Sequence, residues 1–153
     1  MSNTTTIVLG NDEAAVGLRE IITAHLQSLG YAVDAFGPTS SSDKVDYPDV
    51  AVDVAKRIAN GDYERGILIC GTGIGMAIAA NKVPGVRAAQ AADSYSAERA
   101  RKSNNAQILA LGARTLGPEL AKTIVDSWLA SEYEGNSDSK VNKLIALDSA
   151  DAS

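Results

Sequence analysis

The chain has 153 residues, of which 45% are hydrophobic and 22% are charged, a composition that is typical of a globular domain and excludes a mainly disordered chain. Its 14 basic and 19 acidic residues give a formal net charge of −5, and no basic cluster matches a phosphate backbone, so we expect no nucleic-acid partner. No apolar run approaches the roughly 20 residues that span a bilayer, and the single cysteine and polar amino terminus favour a cytoplasmic protein without membrane contact.

Hydrophobic patterning predicts five strands that alternate with helices. Unbroken apolar runs indicate strands covered on both faces, and apolar residues at helical spacing indicate helices with one buried face. The strands in chain order are 6–10, 31–36, 67–69 closing on Cys70, 86–91 and 106–112, and the helices are 16–29, 48–58, 76–81, 93–102 and 118–131. This alternation predicts a single Rossmann-like three-layer α/β domain over residues 1–153, with a five-stranded parallel sheet.

Several details of the helices and the tail can also be predicted. We expect Leu29 and Leu120 to lie on the inner faces of the first and last of these helices, with Gly30 as the C-cap of the first. His25, the only histidine, is expected to be a solvated residue and not a metal ligand, because a histidine-based site needs partner ligands. The tail, about 132–153, contains a polar loop and a short amphipathic piece, and we expect it to pack on a neighbouring subunit.

The most distinctive stretch is a cysteine followed by a glycine-rich turn. Cys70 closes the third strand, and Gly71, Gly73 and Gly75 alternate with Thr72 and Ile74. Without Cβ atoms in the way, the backbone N–H groups of this turn can approach an anionic oxygen, and the next helix points its positive end at the same place. Ligands of such sheets bind at the carboxyl ends of the strands, where Asp12 and Asp93 also fall. A buried structural cysteine beside a tight turn is the alternative interpretation.

The sequence Cys-Gly-Thr-Gly-Ile-Gly from Cys70, together with residues 79–89, resembles the family of type B ribose-5-phosphate isomerases and galactose-6-phosphate isomerases. Further matching segments in the same order are 46–48, 93–97, 110–114 and 133–135. The resemblance implies a homodimer or tetramer with active sites built from two subunits. It also implies an enzyme that interconverts small phosphorylated aldoses and ketoses without a metal or another cofactor.

The resemblance implies a role for each matching residue. Cys70 would be the thiolate base that carries a proton between adjacent carbons through an enediolate. The backbone of residues 71–75, with Asn104 of the partner subunit, would hold the enediolate oxygen. Thr72 would form a hydrogen bond near the thiol or with the substrate. Asp12 would orient a substrate hydroxyl, and Arg114 would contact the phosphate.

The chain departs from the pentose-phosphate isomerases of this family at three places. Their Asp-His pair corresponds here to Asp12 and Glu13, and their ring-opening histidine corresponds to Ser103. Their Gly-Gly-Arg-His segment corresponds to residues 135–138 in a tail one residue shorter, with Lys140 as the only nearby cation. Both imidazoles that handle the sugar ring are therefore missing.

A change of substrate explains these departures. A four-carbon sugar phosphorylated on its last carbon cannot close a five-membered ring, so no ring-opening acid or base is needed. The run 103–108 also resembles the erythrulose-4-phosphate isomerase branch of the family, which serves erythritol catabolism. We therefore expect interconversion of D-erythrulose 4-phosphate and D-erythrose 4-phosphate.

Other interpretations remain open at this point. The chain could be a ribose-5-phosphate isomerase in which Glu13 or water opens the ring, or a non-catalytic subunit of a related isomerase. A nucleotide-binding module and a redox sensor are two more, but the glycine spacing differs from the dinucleotide pattern and no second cysteine is present. Glu13 could bind a substrate hydroxyl or pair with an arginine, Lys140 could be solvated, and Arg101 or Lys102 could contact phosphate.

Overall fold

The computed structural model describes residues 5–150, in which apolar runs form a five-stranded sheet. The strands are β1 (Thr6–Asn11), β2 (Ala32–Phe36), β3 (Gly66–Cys70), β4 (Ala88–Gln90) and β5 (Ile108–Gly112). The helices are α1 (Val16–Ser28), α2 (Tyr47–Ala59), α3 (Ile74–Ala80), α4 (Ser94–Lys102), α5 (Pro118–Leu129) and α6 (Asp138–Ala150), and a 3₁₀ turn covers Glu13–Ala15. All strand pairs are parallel, in the order β2-β1-β3-β5-β4, which confirms the Rossmann-like α/β fold.

The central strands are those with unbroken apolar sequence. Every residue of β1, β3 and β5 is buried, whereas the edge strand β2 alternates in exposure. The other edge strand, β4, has only three residues and is shorter than predicted. Strand β5 begins two residues later than predicted, because Ala106 N–H donates to the Ala100 carbonyl and so closes the end of α4.

Two hydrophobic clusters lie on the two faces of the sheet. The first contains buried residues of α1, α4 and α5, including the fully buried Trp128. The second contains buried residues of α2 and α3, including Met76, and also Cys70. Helix α2 approaches β1 closely, since a Cβ on Gly10 would lie 2.9 Å from side-chain carbons of Val50 and Val54. The helices thus form a layer on each side of the sheet.

Two leucines expected on inner helix faces are exposed. Leu29 is 50% exposed and lies just beyond the end of α1, where Gly30 adopts φ +94° and Tyr31 N–H donates to the Leu26 carbonyl at 3.1 Å. The predicted glycine C-cap is therefore confirmed, but it turns Leu29 away from the core. Leu120, in the first turn of α5, is 44% exposed, and the buried face of that helix instead begins at Ala121.

The expectation that His25 is solvated is wrong. Its side chain is only 16% exposed, and Nε2 lies 2.6 Å from Oδ1 of Asp126. The contact joins the last turn of α1 to α5. Because α1 starts beside the carboxyl end of β1 and runs antiparallel to the strands, His25 lies toward the opposite end of the sheet from Cys70.

The amphipathic piece of the tail is a 13-residue helix, longer than predicted. Val141 is 3% exposed and packs on its own chain, and the Asp148 carboxylate accepts the Gly85 N–H at 2.8 Å. Leu144, Ile145 and Leu147 remain 43% to 62% exposed. Packing of the tail on a neighbouring subunit stays a prediction. Within residues 5–150, no helix combines the length and the apolar character required to cross a membrane.

Candidate active site

The strand order places the candidate site where β1 and β3 lie side by side. Strand β2 pairs with one side of β1, and the next strand in sequence, β3, pairs with the other side. The connections after β1 and β3 therefore run in opposite directions, which opens a crevice between the carboxyl ends of these two strands. In the register, Asn11 pairs with Ile69 and Cys70 pairs with Gly112. The residues that follow β1 and β5 therefore lie at the same edge of the sheet as the cysteine.

Cys70 is the last residue of β3 and has a free thiol. It is 5% exposed, and its Sγ accepts a hydrogen bond from the Gly73 N–H at 3.2 Å. A backbone N–H in this position is a donor that a thiolate can accept, since donors to charged acceptors form the stronger hydrogen bonds. The glycine turn thus folds back over the sulfur.

The conformation of the turn depends on glycine at position 73. Gly73 has φ +81°, and a Cβ there would lie 2.9 to 3.0 Å from backbone atoms of Leu111. Thr72 Oγ1 accepts the Ile74 N–H at 3.2 Å, so the threonine hydroxyl holds the turn. Helix α3 starts at Ile74, two residues earlier than predicted, which makes the turn tighter than the sequence suggested.

Asp12 and Arg114 border the same turn. Asp12 Oδ1 accepts the Ala14 N–H at 3.0 Å and caps the 3₁₀ turn after β1. Arg114 N–H donates to the Gly71 carbonyl at 2.9 Å, and its Nη1 would lie 3.5 Å from a Cβ on Gly71. The guanidinium therefore lies over the first glycine of the turn.

Glu13 is directed toward the loop between β2 and α2. Its Oε2 lies 3.5 Å from the Val45 backbone N, and the described residues give it no ion pair with an arginine. Asp93, the other carboxylate expected at a strand end, accepts the Ser96 N–H and hydroxyl, both at 2.7 Å, and so caps α4. The hydrogen bond from the Ser96 N–H, more than the one from the Ser96 hydroxyl, lowers the pKa of Asp93 below 3.8. Asp93 is therefore part of a helix cap.

Three predicted site residues lie away from Cys70 in the structure. Ser103 Oγ accepts a hydrogen bond from Arg99 Nε at 2.8 Å. Asn104 is exposed and lines a cavity of about 430 Å³ between β4 and α6, and Lys140 is exposed at the start of α6. Since β5 separates β4 from β3, one chain does not bring these residues to Cys70. Their contribution to a partner's site stays a prediction.

The other two candidate cations bind their own chain. Arg101 is 8% exposed, donates to the Ala106 carbonyl at 2.8 Å and lies 3.8 Å from Glu132. Burial, with the nearby positive charge of Arg65, lowers its pKa to about 10. Lys102 pairs with Glu98 at 3.1 Å. Neither faces the glycine turn. Within residues 5–150, no cluster of three or more His, Cys, Asp and Glu side chains could hold a metal ion.

Tyr47 is a residue of this site that the sequence analysis missed. It is the first residue of α2, and a Cβ on Gly75 would lie 2.4 Å from its ring carbon Cε1. The ring therefore lies against the last glycine of the turn. The segment 46–48 matches the family pattern, but no pattern of spacing in the sequence connects Tyr47 with Gly75.

The environment of Asp12 predicts a dependence of stability on pH. Burial, the largest influence, and the negative charge of Glu13 raise the pKa of Asp12 above 3.8, while the Ala14 N–H and Arg114 oppose the shift. Between pH 3.8 and this raised pKa the folded chain binds more protons than the unfolded chain, so the free energy of unfolding falls as pH rises. In urea unfolding across pH 3 to 7, roughly the range where carboxyl groups titrate, Asp12→Asn is expected to remove this fall. Parallel curves for the two proteins would contradict the expectation.

Comparison with known proteins identifies the family of the chain. The family model described as Ribose/Galactose Isomerase matches residues 7–144. A D-erythrulose-4-phosphate isomerase of Pectobacterium atrosepticum is 53% identical over 90% of this chain and 91% of its own length. A ribose-5-P isomerase B of Listeria innocua is 48% identical over 93% of this chain and 96% of its own length. The solved ribose-5-phosphate isomerase B of Clostridium thermocellum superposes with a TM-score of 0.92 and 43% identity, covering 95% of this chain and 98% of that chain.

The α/β fold, the cysteine at the strand edge and these similarities define an enzyme of the aldose–ketose isomerase class, which converts sugar phosphates. The chain belongs to the ribose/galactose isomerase family, whose model covers nearly all of the described residues.

Proposed function

We propose that this enzyme interconverts D-erythrulose 4-phosphate and D-erythrose 4-phosphate. One observation carries the proposal: Cys70 and its glycine turn lie at the crevice, while Glu13 and Ser103 are at the two positions where the resemblance implies imidazoles in the pentose enzymes. The chain thus retains the group needed for proton transfer between carbons and lacks the groups suited to ring opening.

The proposed reaction uses Cys70 as the base. The thiolate removes a proton from C1 of the ketose, and the electron pair of that bond forms the C1–C2 enediolate. A proton moves from O1 to O2, and the thiol returns its proton to C2, which yields the aldose. Backbone N–H groups of the turn stabilise the oxygen that carries the negative charge. Asp12 orients a substrate hydroxyl, Thr72 keeps the turn in place, and Arg114 binds the phosphate.

The hydroxyl of Ser103 does not replace a histidine. It accepts the Arg99 Nε–H at 2.8 Å, and a serine hydroxyl does not titrate near neutral pH. His25 cannot serve either, since its ring binds Asp126 toward the far end of the sheet. A substrate that remains open-chain avoids this requirement, because its terminal oxygen carries the phosphate. The 53% identity to an enzyme named for D-erythrulose 4-phosphate agrees with this assignment.

The second candidate function is isomerisation of ribose 5-phosphate. A relative with 48% identity is named for that activity, and Glu13 is a carboxylate beside Asp12 at the mouth of the crevice. In this alternative, Glu13 or water would open the sugar ring. The orientation of Glu13 toward the Val45 backbone N favours a role in holding the loop instead.

We further propose that the enzyme is a homodimer or tetramer with shared sites. Ile74 and Ile78 of α3 are 53% and 58% exposed, and three apolar residues of α6 are similarly exposed. Exposed apolar patches of this kind mark protein interfaces. Asn104 lines the cavity beside α6, and Lys140 is exposed in the first turn of α6, so both are available to the crevice of a partner subunit. A reduced catalytic thiol suits the cytoplasm, and the reaction suits the catabolism of erythritol.

A panel of tetrose, pentose and hexose phosphates tests the substrate assignment. We expect kcat/KM for D-erythrulose 4-phosphate to exceed that for D-ribose 5-phosphate at least about tenfold, because only ribose 5-phosphate must open a furanose ring, and loss of the acid–base group for that step costs roughly 100-fold or more. Coupled assays in both directions give the rates. A higher kcat/KM for the pentose would overturn the tetrose assignment in favour of the alternative.

A further inference from the structure

The ring of Tyr47 occupies the space that a side chain at position 75 would need. A Cβ on Gly75 would lie 2.4 and 2.5 Å from ring carbons of Tyr47 and 2.8 Å from its hydroxyl oxygen. Gly75 is inside α3 and has no positive φ, so its backbone does not require glycine. Glycine within a helix is unfavourable relative to alanine. The contact with Tyr47 is the reason that the structure gives for glycine at this position.

The two ends of the glycine turn therefore meet different side chains. The guanidinium of Arg114 lies over Gly71, and the phenol of Tyr47 lies over Gly75. Cys70 Sγ, which accepts the Gly73 N–H, lies beneath the middle of the turn. A sugar phosphate placed along the turn with its phosphate at Arg114 would meet the phenol at its other end.

The Tyr47 hydroxyl is available to a ligand. Within residues 5–150 it has no hydrogen-bond partner, and the residue is 40% exposed. The hydroxyls of Tyr63 and Tyr133, in contrast, donate to Asp34 and Asp138 at 2.6 and 2.7 Å. A tyrosine whose ring is packed and whose hydroxyl is unpaired at the mouth of a crevice is suited to bind a polar ligand.

The backbone around Tyr47 is held on both sides. Before Tyr47, the Val45 backbone N lies 3.5 Å from the Glu13 carboxylate. After Tyr47, the Val50 side chain packs so closely on β1 that a Cβ on Gly10 would lie 2.9 Å from it. The start of α2 is thus fixed to the end of β1, so the position of the phenol over the turn is determined before substrate binds.

We propose that Tyr47 is a substrate-binding residue of this enzyme, whose hydroxyl hydrogen-bonds the sugar at the end of the glycine turn remote from Arg114. The inference rests on the proposed function, since it assumes an open-chain sugar phosphate along the turn.

Binding to an inactive enzyme tests the hydrogen bond without depending on turnover. Calorimetry would measure the Kd of D-erythrulose 4-phosphate for Cys70→Ala and for Cys70→Ala combined with Tyr47→Phe. We expect the added substitution to raise Kd about tenfold, the usual effect of losing one hydrogen bond. The free energy of unfolding should not change, because the hydroxyl bonds no protein atom. An unchanged Kd would overturn only this inference, whereas absence of binding in both proteins would also overturn the proposed function.

A double-mutant cycle tests the contact between Tyr47 and Gly75. In the wild-type background, Gly75→Ala forces the ring to move and is expected to lower kcat/KM about tenfold or more, as loss of the hydrogen bond does. In the Tyr47→Ala background the same change meets no ring and is expected to have little further effect. Equal effects of Gly75→Ala in the two backgrounds would contradict the assignment, and the unfolding midpoint of each protein separates this result from misfolding.

Discussion

Replacement of Cys70 by Ala is expected to lower kcat by at least about 100-fold, because a positioned acid–base group contributes roughly 100- to 10,000-fold to proton transfer. The protein should remain folded, since the change removes one atom from a residue that is 5% exposed. Steady-state rates with D-erythrulose 4-phosphate measure the effect. Loss of solvent-deuterium incorporation at the reacting carbon would show that the proton-transfer step itself is affected.

Two further variants define what this result means. Met76→Leu changes a buried side chain of the same hydrophobic cluster at nearly constant volume, so it should leave kcat nearly unchanged. Cys70→Ser keeps the size and an acceptor for the Gly73 N–H but lacks an accessible anion, so its kcat should be as low as that of the alanine variant. Unchanged turnover in Cys70→Ala would contradict the mechanism and favour a subunit whose fold serves an active partner.

Gly73→Ala is expected to reduce the free energy of unfolding by about 2 to 5 kcal/mol, combining the cost of a left-handed non-glycine residue with that of overpacking. Its Cβ would lie within 3.0 Å of the Leu111 backbone, which belongs to a central strand and cannot move aside. Activity should also fall, since the N–H that faces Cys70 Sγ belongs to this residue. Urea unfolding followed by circular dichroism measures the stability.

Gly61→Ala is a matched control for the conformational cost of placing a non-glycine residue at positive φ. Gly61 has φ +84°, close to the +81° of Gly73, but a Cβ there would meet no atom within 4 Å. Only the conformational cost of roughly 1 to 2 kcal/mol is then expected, with normal activity. If the two substitutions destabilised equally, close packing against Leu111 would not be what fixes the turn.

The fold could be predicted well where burial is decided by the sequence itself. The strands β1, β3 and β5 are apolar throughout and must be buried on both faces, between two layers of helices. Their alternation with helices along the chain therefore indicated a parallel sheet. Leu29 and Leu120 were misplaced because apolar spacing does not show that α1 ends before Leu29, or which of two neighbouring apolar residues, Leu120 or Ala121, faces the core. His25 was misjudged because its partner, Asp126, is on another helix and is distant in sequence.

The site could be predicted where its residues follow the strands. The register of the sheet brings Asp12, Cys70 and Arg114 to one edge, as their places after strand ends indicated. The placement of Asn104 and Lys140 depends on an assembly that a single chain does not describe. Tyr47 was missed because its contact with Gly75 depends on how α2 lies across the sheet, which spacing along the chain does not encode.

The pairing of β3 with β5 continues past the strands into the site. Ala113 N–H donates to the Cys70 carbonyl at 2.8 Å, and Arg114 N–H donates to the Gly71 carbonyl at 2.9 Å. The backbones that carry the sulfur and the guanidinium therefore form one continuous hydrogen-bonded ladder, which fixes the distance between the Cα atoms of Cys70 and Arg114. A longer ligand between the thiol and the guanidinium would therefore require another conformer of the Arg114 side chain or a change in the opposite wall of the crevice, because the backbone spacing cannot widen without breaking the ladder.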